Sequence, residues 1–199
     1  MISSPSGGGK TSLIRALLKQ MQNLQISISY TTRPARPSEE EGKDYYFVSE
    51  KIFQQKINSK DFLEHAKIYG YHYGTSKSWV LDKLQQGINV VLEIDWQGAQ
   101  QIQKKFPDSI LIFILPPSIE TLRQRLIGRK QDNMASIRQR IELAQSEIQH
   151  YQEFDYLIIN EDFNCALNDL KSIIQATQLK KKNQMKQHQN ILEGLLNKR

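Results

Sequence analysis

Ser4-Pro5-Ser6-Gly7-Gly8-Gly9-Lys10-Thr11 is the stretch that most limits what this 199-residue chain can fold into. Three consecutive glycines destabilise any helix or strand interior, so they mark a turn that needs unusual backbone angles. Lys10 and Thr11 then open an amphipathic run in which Leu13, Ile14, Leu17, Leu18 and Met21 recur at helical spacing. A glycine turn feeding a helix start gathers backbone N–H groups into one concavity at the positive end of the helix dipole. The pattern fits G-x-x-x-x-G-K-S/T, a cradle for nucleotide phosphates, except that Ser4 replaces the first glycine. In such a cradle Ser4 to Thr11 hold the phosphates, Lys10 reaches the β- and γ-phosphates, and the Thr11 hydroxyl takes Mg²⁺.

The rest of the chain alternates apolar strands with helices. "LQISISY", "INVVLEID", "DSILIFILPP" and "FDYLIIN" read as strands, the second and third as buried ones. Helices are expected at 9–20, 78–87, 97–106, 118–128, 134–152 and 163–180. This order predicts an α/β fold with a parallel sheet flanked by helices. The stretch 31–77, rich in turns and aromatic residues, breaks the alternation and reads as an inserted lobe. Residues 1–30 and 78–178 then form the core, with a helical lid at about 123–145, and 179–199 a basic helical tail. Only three residues precede Ser4, so the sequence leaves two readings of the first strand: a start further upstream, or a short central strand.

Charge narrows the partners. The formal net charge is +6, but residues 178–199 carry six Lys/Arg against one Glu. The body is nearly neutral and the tail reads as a solvated helix end, so no nucleic-acid partner is expected. No apolar run approaches the roughly 18 residues of a membrane span, and the first 15 residues hold no apolar secretory core. Cys165 is the only cysteine, which excludes an internal disulfide and a cysteine zinc site. The expected compartment is the cytoplasm, no membrane partner is expected, and a homo-oligomer is compatible with the sequence. Cys165 lies in a helical pattern and is expected in the core. Trp79 and Trp96 read as packing residues, and the four histidines show no metal-ligand spacing.

Two further clusters point to phosphoryl chemistry. "LRQRLIGRKQDNMASIRQR" places Arg123, Arg125, Arg129, Arg138 and Arg140 in a helix–loop–helix that could close over a triphosphate. Arg33 and Arg36, held near prolines with Tyr45 close by, suit a second and smaller phosphate, so the acceptor is itself phosphorylated.

With these residues in hand, the chain resembles guanylate kinase. "SxxTTRxxRxxE", "GKDYYF", "FLEHAKIYGYHYGTS", "EIDWQGAQQI" and "RLIGR…RQR" follow the phosphate loop in the family's order, and the likeness runs from Ile2 to about Gln178. The resemblance implies a P-loop fold and transfer of the ATP γ-phosphoryl to GMP with Mg²⁺. It implies that Arg33, Arg36 and Tyr45 hold the GMP phosphate, with Ser29 and Glu39 in the same pocket. Glu64, Tyr73, Gly74 and Thr75 would surround the guanine, with Glu64 and Thr75 reading it. Asp95 would lie between the nucleotides, with a helix-capping role as its alternative. Lys10, Arg125, Arg129 and Arg140 would serve phosphoryl transfer, and Asn160 would sit near the adenine. Glu93 stands where the family usually has Asp and is left outside the core site. A phosphopeptide-binding relative would be expected to lose the phosphate loop, and Gly9-Lys10-Thr11 argue against that.

Overall fold

We describe a computed structural model of the chain, covering residues 1–128 and 134–196. Strand β1 (Ile2–Ser3) is short but enclosed on both sides. On one side Ile2 and Ser3 pair in parallel with Ile112 and Phe113 of β8 (Ile112–Leu115). On the other, Ile2 N–H donates to the Leu92 carbonyl at 2.9 Å, and Ile94 N–H donates to the Ile2 carbonyl at 3.3 Å. Those residues extend β7 (Asn89–Val91), which pairs in parallel with β2 (Leu24–Ile26). Strand β9 (Tyr156–Ile159) completes the sheet beside β8. The parallel order is therefore β2, β7, β1, β8, β9, with β1 in the centre.

Period-two alternation splits the side chains of this sheet between two cores. Ile2, Val91, Ile112, Ile114 and Ile158 face Leu13, Ile14 and Leu17 of α1 (Lys10–Gln20) and Leu167 and Leu170 of α7 (Phe163–Gln178). Leu92, Ile94 and Leu111 face Val80 of α3 (Lys77–Gln85) and Ala99 and Ile102 of α4 (Trp96–Lys105). Burial on both faces is why these strands read as apolar runs in the sequence.

The segment between β2 and α3 builds its own four-stranded sheet in the order β4-β3-β6-β5. Its strands are β3 (Tyr30–Thr31), β4 (Tyr46–Phe47), β5 (Phe62–Ile68) and β6 (Tyr71–Ser76), and it carries α2 (Glu50–Asn58). Leu63 of β5 joins the second core, which anchors this lobe against α3 and α4. Beyond β8 come α5 (Ile119–Gly128) and α6 (Met134–Gln149), which share a third core of Leu122, Leu126, Ile137 and Ala144. After α7 the tail forms two short helices, α8 (Lys181–Gln187) and α9 (Gln189–Leu196). Among the described residues no helix is long and apolar enough to cross a membrane.

Two sequence expectations change. The run 24–30 is not one strand: it divides into β2 and the start of β3, because the chain leaves the parallel sheet for the inserted lobe. Cys165 is exposed and outside the core. It lies in the first turn of α7, where its N–H donates to the capping Asp162 side chain at 2.8 Å. Of the two tryptophans, Trp79 packs against the second core, while Trp96 stacks on His150 with ring centroids 3.5 Å apart.

Leu17 is fully buried between the sheet and α7. Leu17→Ala should destabilise the protein by about 2–5 kcal/mol in urea unfolding, with a cavity left behind. A loss below about 1 kcal/mol would contradict this packing.

Candidate active site

The phosphate loop forms between β1 and α1. Gly7 (φ 90°) and Gly9 (φ 96°) adopt left-handed backbone that disfavours side chains. Gly8 N–H closes the turn onto the Pro5 carbonyl at 2.9 Å. A Cβ on Gly9 would lie 2.2 Å from Asn160 Nδ2. Gly9 is also the N-cap of α1 and provides no side-chain cap, and no acidic residue lies in the first turn. The helix N–H groups are thus left for an external anion.

Asn160 and Arg125 buttress this loop. Asn160 follows β9, is buried, and donates from Nδ2 to the Gly8 carbonyl at 2.9 Å. Arg125 of α5 donates to the Asn160 carbonyl at 2.8 Å. The other terminal nitrogen of Arg125 and Oδ1 of Asn160 are buried without a protein partner. Asn160 therefore lies against the loop backbone, a role the sequence did not reveal.

Lys10 Nζ donates to the Ile94 carbonyl at 3.1 Å, at the C-terminal end of the sheet. The Thr11 hydroxyl donates to Glu93 Oε1 at 2.5 Å. Glu93, left out of the site on sequence grounds, thus faces the phosphate-loop threonine. The extra methylene over Asp is what a sequence pattern could not translate into reach.

Across the cleft, Arg33 donates to Glu39 Oε1 at 2.7 Å, and its guanidinium lies over the Tyr45 ring, 5.3 Å from the centroid. Glu39 also accepts the Arg36 N–H at 2.8 Å. Burial would raise the Glu39 pKa, but the bonds from Arg33 and Arg36 outweigh it and hold the carboxyl below its usual range. Tyr45 meets Tyr73 edge-on at 5.9 Å. Burial pushes the Tyr45 phenol far up, with Glu93 adding to the effect, so it stays a neutral donor. A cleft of about 660 Å³ is lined by Thr11, Ser29, Arg36, Glu39, Tyr45 and Glu93 together. It joins the phosphate loop to the arginine cluster.

Glu64 lies deeper, on β5. A β-bulge between Phe62 and Glu64 shifts the register, so that Phe62, Leu63 and Glu64 are all buried. Glu64 is only 4% exposed and pairs with Thr75, whose hydroxyl donates to Glu64 Oε1 at 2.5 Å. Gly74, beside Thr75, is packed against Phe62 and Phe53. Burial raises the Glu64 pKa to about 7, the Thr75 bond opposes this, and the neighbouring Asp95 charge adds to it. Asp95 caps α4, accepting the Gly98 N–H at 2.9 Å. Burial raises its pKa as well, against bonds from Gly98 and attraction to Lys10. Asp95 is therefore a helix cap that also lies close to both Lys10 and Glu64. A Cβ on Gly98 would come 2.6 Å from Glu64 Oε2, so the glycine makes room for the buried carboxylate.

Of the proposed transfer arginines, Arg125 is at the loop, whereas Arg140 of α6 lies over the Tyr69 ring, 5.6 Å from its centroid. Arg129 lies outside the described residues. Arg123 approaches Glu120 at the surface of α5. Among the described residues no group of three or more His, Cys, Asp or Glu could hold a metal ion. Any cation here would be bound by few protein oxygens and by phosphate.

The family model for guanylate kinase matches residues 1–177. The chain belongs to the guanylate kinase family. It is 54% identical over 198 residues to the guanylate kinase of Coxiella burnetii (strain RSA 493 / Nine Mile phase I), covering 100% of this chain and 96% of that protein. It is 51% identical over 195 residues to that of Saccharophagus degradans (strain 2-40 / ATCC 43961 / DSM 17024), covering 98% and 95%. The crystal structure of guanylate kinase from Anaplasma phagocytophilum superposes with a TM-score of 0.77 at 36% identity, over 90% of this chain and 85% of that one. The family fixes the α/β P-loop fold expected from the alternation of strands and helices.

The raised Glu64 pKa has a thermodynamic consequence. Between the ordinary 4.5 and about 7 the folded protein holds a proton that the unfolded chain has released. The contribution of Glu64 is most favourable below pH 4.5 and is lost as pH rises through 7. Glu64→Gln should remove on the order of 3 kcal/mol of the stability decline seen in urea unfolding across that window. Parallel pH profiles for variant and wild type would contradict the burial of this charge.

Proposed function

We propose that this enzyme transfers the γ-phosphoryl of ATP to GMP, giving ADP and GDP, as the membership of its family implies. The observation that carries the reading is the shared cleft, in which Thr11 of the phosphate loop faces Arg36, Glu39 and Tyr45. One triphosphate and one monophosphate can be held in a single cavity, and no covalent intermediate is required.

The residues take these parts. Gly7, Gly8 and Gly9, with Ser4, Pro5 and Ser6, shape the concavity that receives the ATP phosphates at the start of α1. Lys10, on a long flexible stem, moves from the Ile94 carbonyl to the transferring phosphate. Arg125, fixed through Asn160, adds positive charge beside Gly9. Arg140 and Arg129 of the lid complete the charge around the transferring group. Arg33, Arg36 and Tyr45 clamp the GMP phosphate, with Ser29 and Glu39 in the same pocket. Tyr73 flanks the nucleotide. In the protein without ligand Thr75 gives its one hydroxyl proton to Glu64; on GMP binding that proton turns to guanine O6, and Glu64 in its ionised form accepts N1–H and the exocyclic amine.

Mg²⁺ fits the donor set, since Thr11 Oγ1 and the adjoining Glu93 carboxylate are hard oxygens at the mouth of the loop. Thr11 would hold it, with phosphate oxygens and waters, and it would offset phosphate charge when bound. Residues 1–30 and 78–178 serve as the donor core and lid, and 31–77 as the acceptor lobe. The basic tail, 179–199, is peripheral to this chemistry, with Lys182 bonded to Asp108.

A coupled assay of ADP formation with GMP, AMP, CMP and UMP tests the reading. GMP should exceed the other acceptors by at least about 10²-fold in kcat/KM. Lys10→Ala should lower kcat by about 10²–10³-fold. Absence of GMP-dependent turnover, or equal use of AMP, would overturn the assignment.

A further inference from the structure

The hairpin between β5 and β6 turns on two residues, Tyr69 (φ 51°) and Gly70 (φ 83°), both in left-handed backbone. That turn type favours Asn or Asp before the glycine. A tyrosine there is disfavoured, because its Cβ crowds the following carbonyl oxygen. Tyr69 does not point to solvent: its hydroxyl donates to Glu147 Oε1 at 3.2 Å. The other oxygen of Glu147 accepts the backbone N–H of Ser6, in the phosphate loop, at 3.3 Å. Arg140, seven residues before Glu147 and so on the same face of α6, covers the Tyr69 ring.

One carboxylate of α6 thus touches two parts that are remote from it in sequence: the acceptor lobe and the phosphate loop. Glu147 has no place in the reaction described above. It is half-buried and faces Lys10 and Asp95 electrostatically, and its burial raises its pKa.

We propose that Glu147 is a positioning residue that couples closure of the acceptor lobe to the alignment of the phosphate loop and of Arg140. The proposal rests on the phosphotransfer reading above. When Tyr69 reaches Glu147, the hairpin of the GMP lobe, the arginine-bearing helix and the first turn of the loop are held in one arrangement. When the lobe moves away, α6 loses the Tyr69 contacts of both Glu147 and Arg140, and the bond from Ser6 N–H is left as the only tie of Glu147 described above. The competing reading is a placeholder: a carboxylate that occupies the Ser6 N–H until ATP phosphate displaces it. The two separate in kinetics. A coupling residue acts on kcat, whereas removal of a placeholder strengthens ATP binding and leaves kcat alone.

The experiment is a double-mutant cycle on the full chain with Tyr69→Phe and Glu147→Ala, read as kcat, KM for ATP, KM for GMP and Tm. Each single variant should lower kcat by about 10-fold or more, since small misplacements of reacting groups are costly. KM for ATP should change by less than about 3-fold, and the double variant should be no slower than Glu147→Ala alone, as expected of two groups in one contact. Glu147→Gln should recover most of kcat, because its amide can accept from Ser6 N–H and donate to the tyrosine oxygen. Unchanged kcat, independent multiplicative losses, or a lower KM for ATP with kcat intact would overturn the proposal. If Glu147→Ala does not fold cooperatively, Tyr69→Phe alone decides it, because that variant keeps the ring and removes only the hydroxyl. A wild type inactive on GMP would overturn the functional reading itself, which is a distinct result.

Discussion

Helix α1 starts on Gly9 with no side-chain cap and no acidic residue in its first turn. Its leading N–H groups are left open at the C-terminal edge of a parallel sheet, and the rest of the molecule is arranged around that concentration of partial positive charge. Strand β1 delivers the chain to it, held by β7 on one side and β8 on the other. Asn160 and Arg125 support it from β9 and α5. The contrast with α4 is informative, since Asp95 caps that helix and closes its N-terminus to outside anions.

Around this positive centre the structure buries negative charge at a cost. Glu64, Asp95 and Glu147 are all shifted toward the neutral form by burial. Each one has a bond that partly offsets the penalty: Thr75 for Glu64, Gly98 N–H for Asp95, Ser6 N–H and Tyr69 for Glu147. Glu64, the most deeply buried of the three, can discriminate strongly, because a ligand that fails to complete its bonds leaves a buried polar group unpaired. Gly98 is part of this design, as any side chain there would displace the Glu64 carboxylate.

The parallel core was legible because its strands, buried on both faces, appear as apolar runs between amphipathic helices. The phosphate loop was legible from three adjacent glycines and a lysine. Less visible were contacts made by ordinary residues at long sequence separation. Glu93 meets Thr11 across 82 residues, and Glu147 meets Ser6 across 141. Nothing in the local pattern marks Glu147, and Glu93 stands out only as a departure from the family's usual Asp. Asn160 carried a signal only through family likeness, and its place against Gly8 follows from the end of β9 rather than from any motif. Cys165 was misplaced because helical periodicity gives a face but not the first exposed turn. The Glu64 pocket depends on a one-residue bulge, which shifts which side chains turn inward and leaves no trace in composition.

The central claim is that a buried, Thr75-bonded carboxylate at position 64 selects guanine. The most direct measurement is the ratio of kcat/KM for GMP to that for AMP in wild type and in Glu64→Ala. The ratio should fall by at least about 100-fold in the variant, since the carboxylate is the group proposed to accept N1–H and the exocyclic amine of guanine, donors that adenine does not present in that arrangement. A variant that turns over GMP and keeps the wild-type ratio would contradict the account.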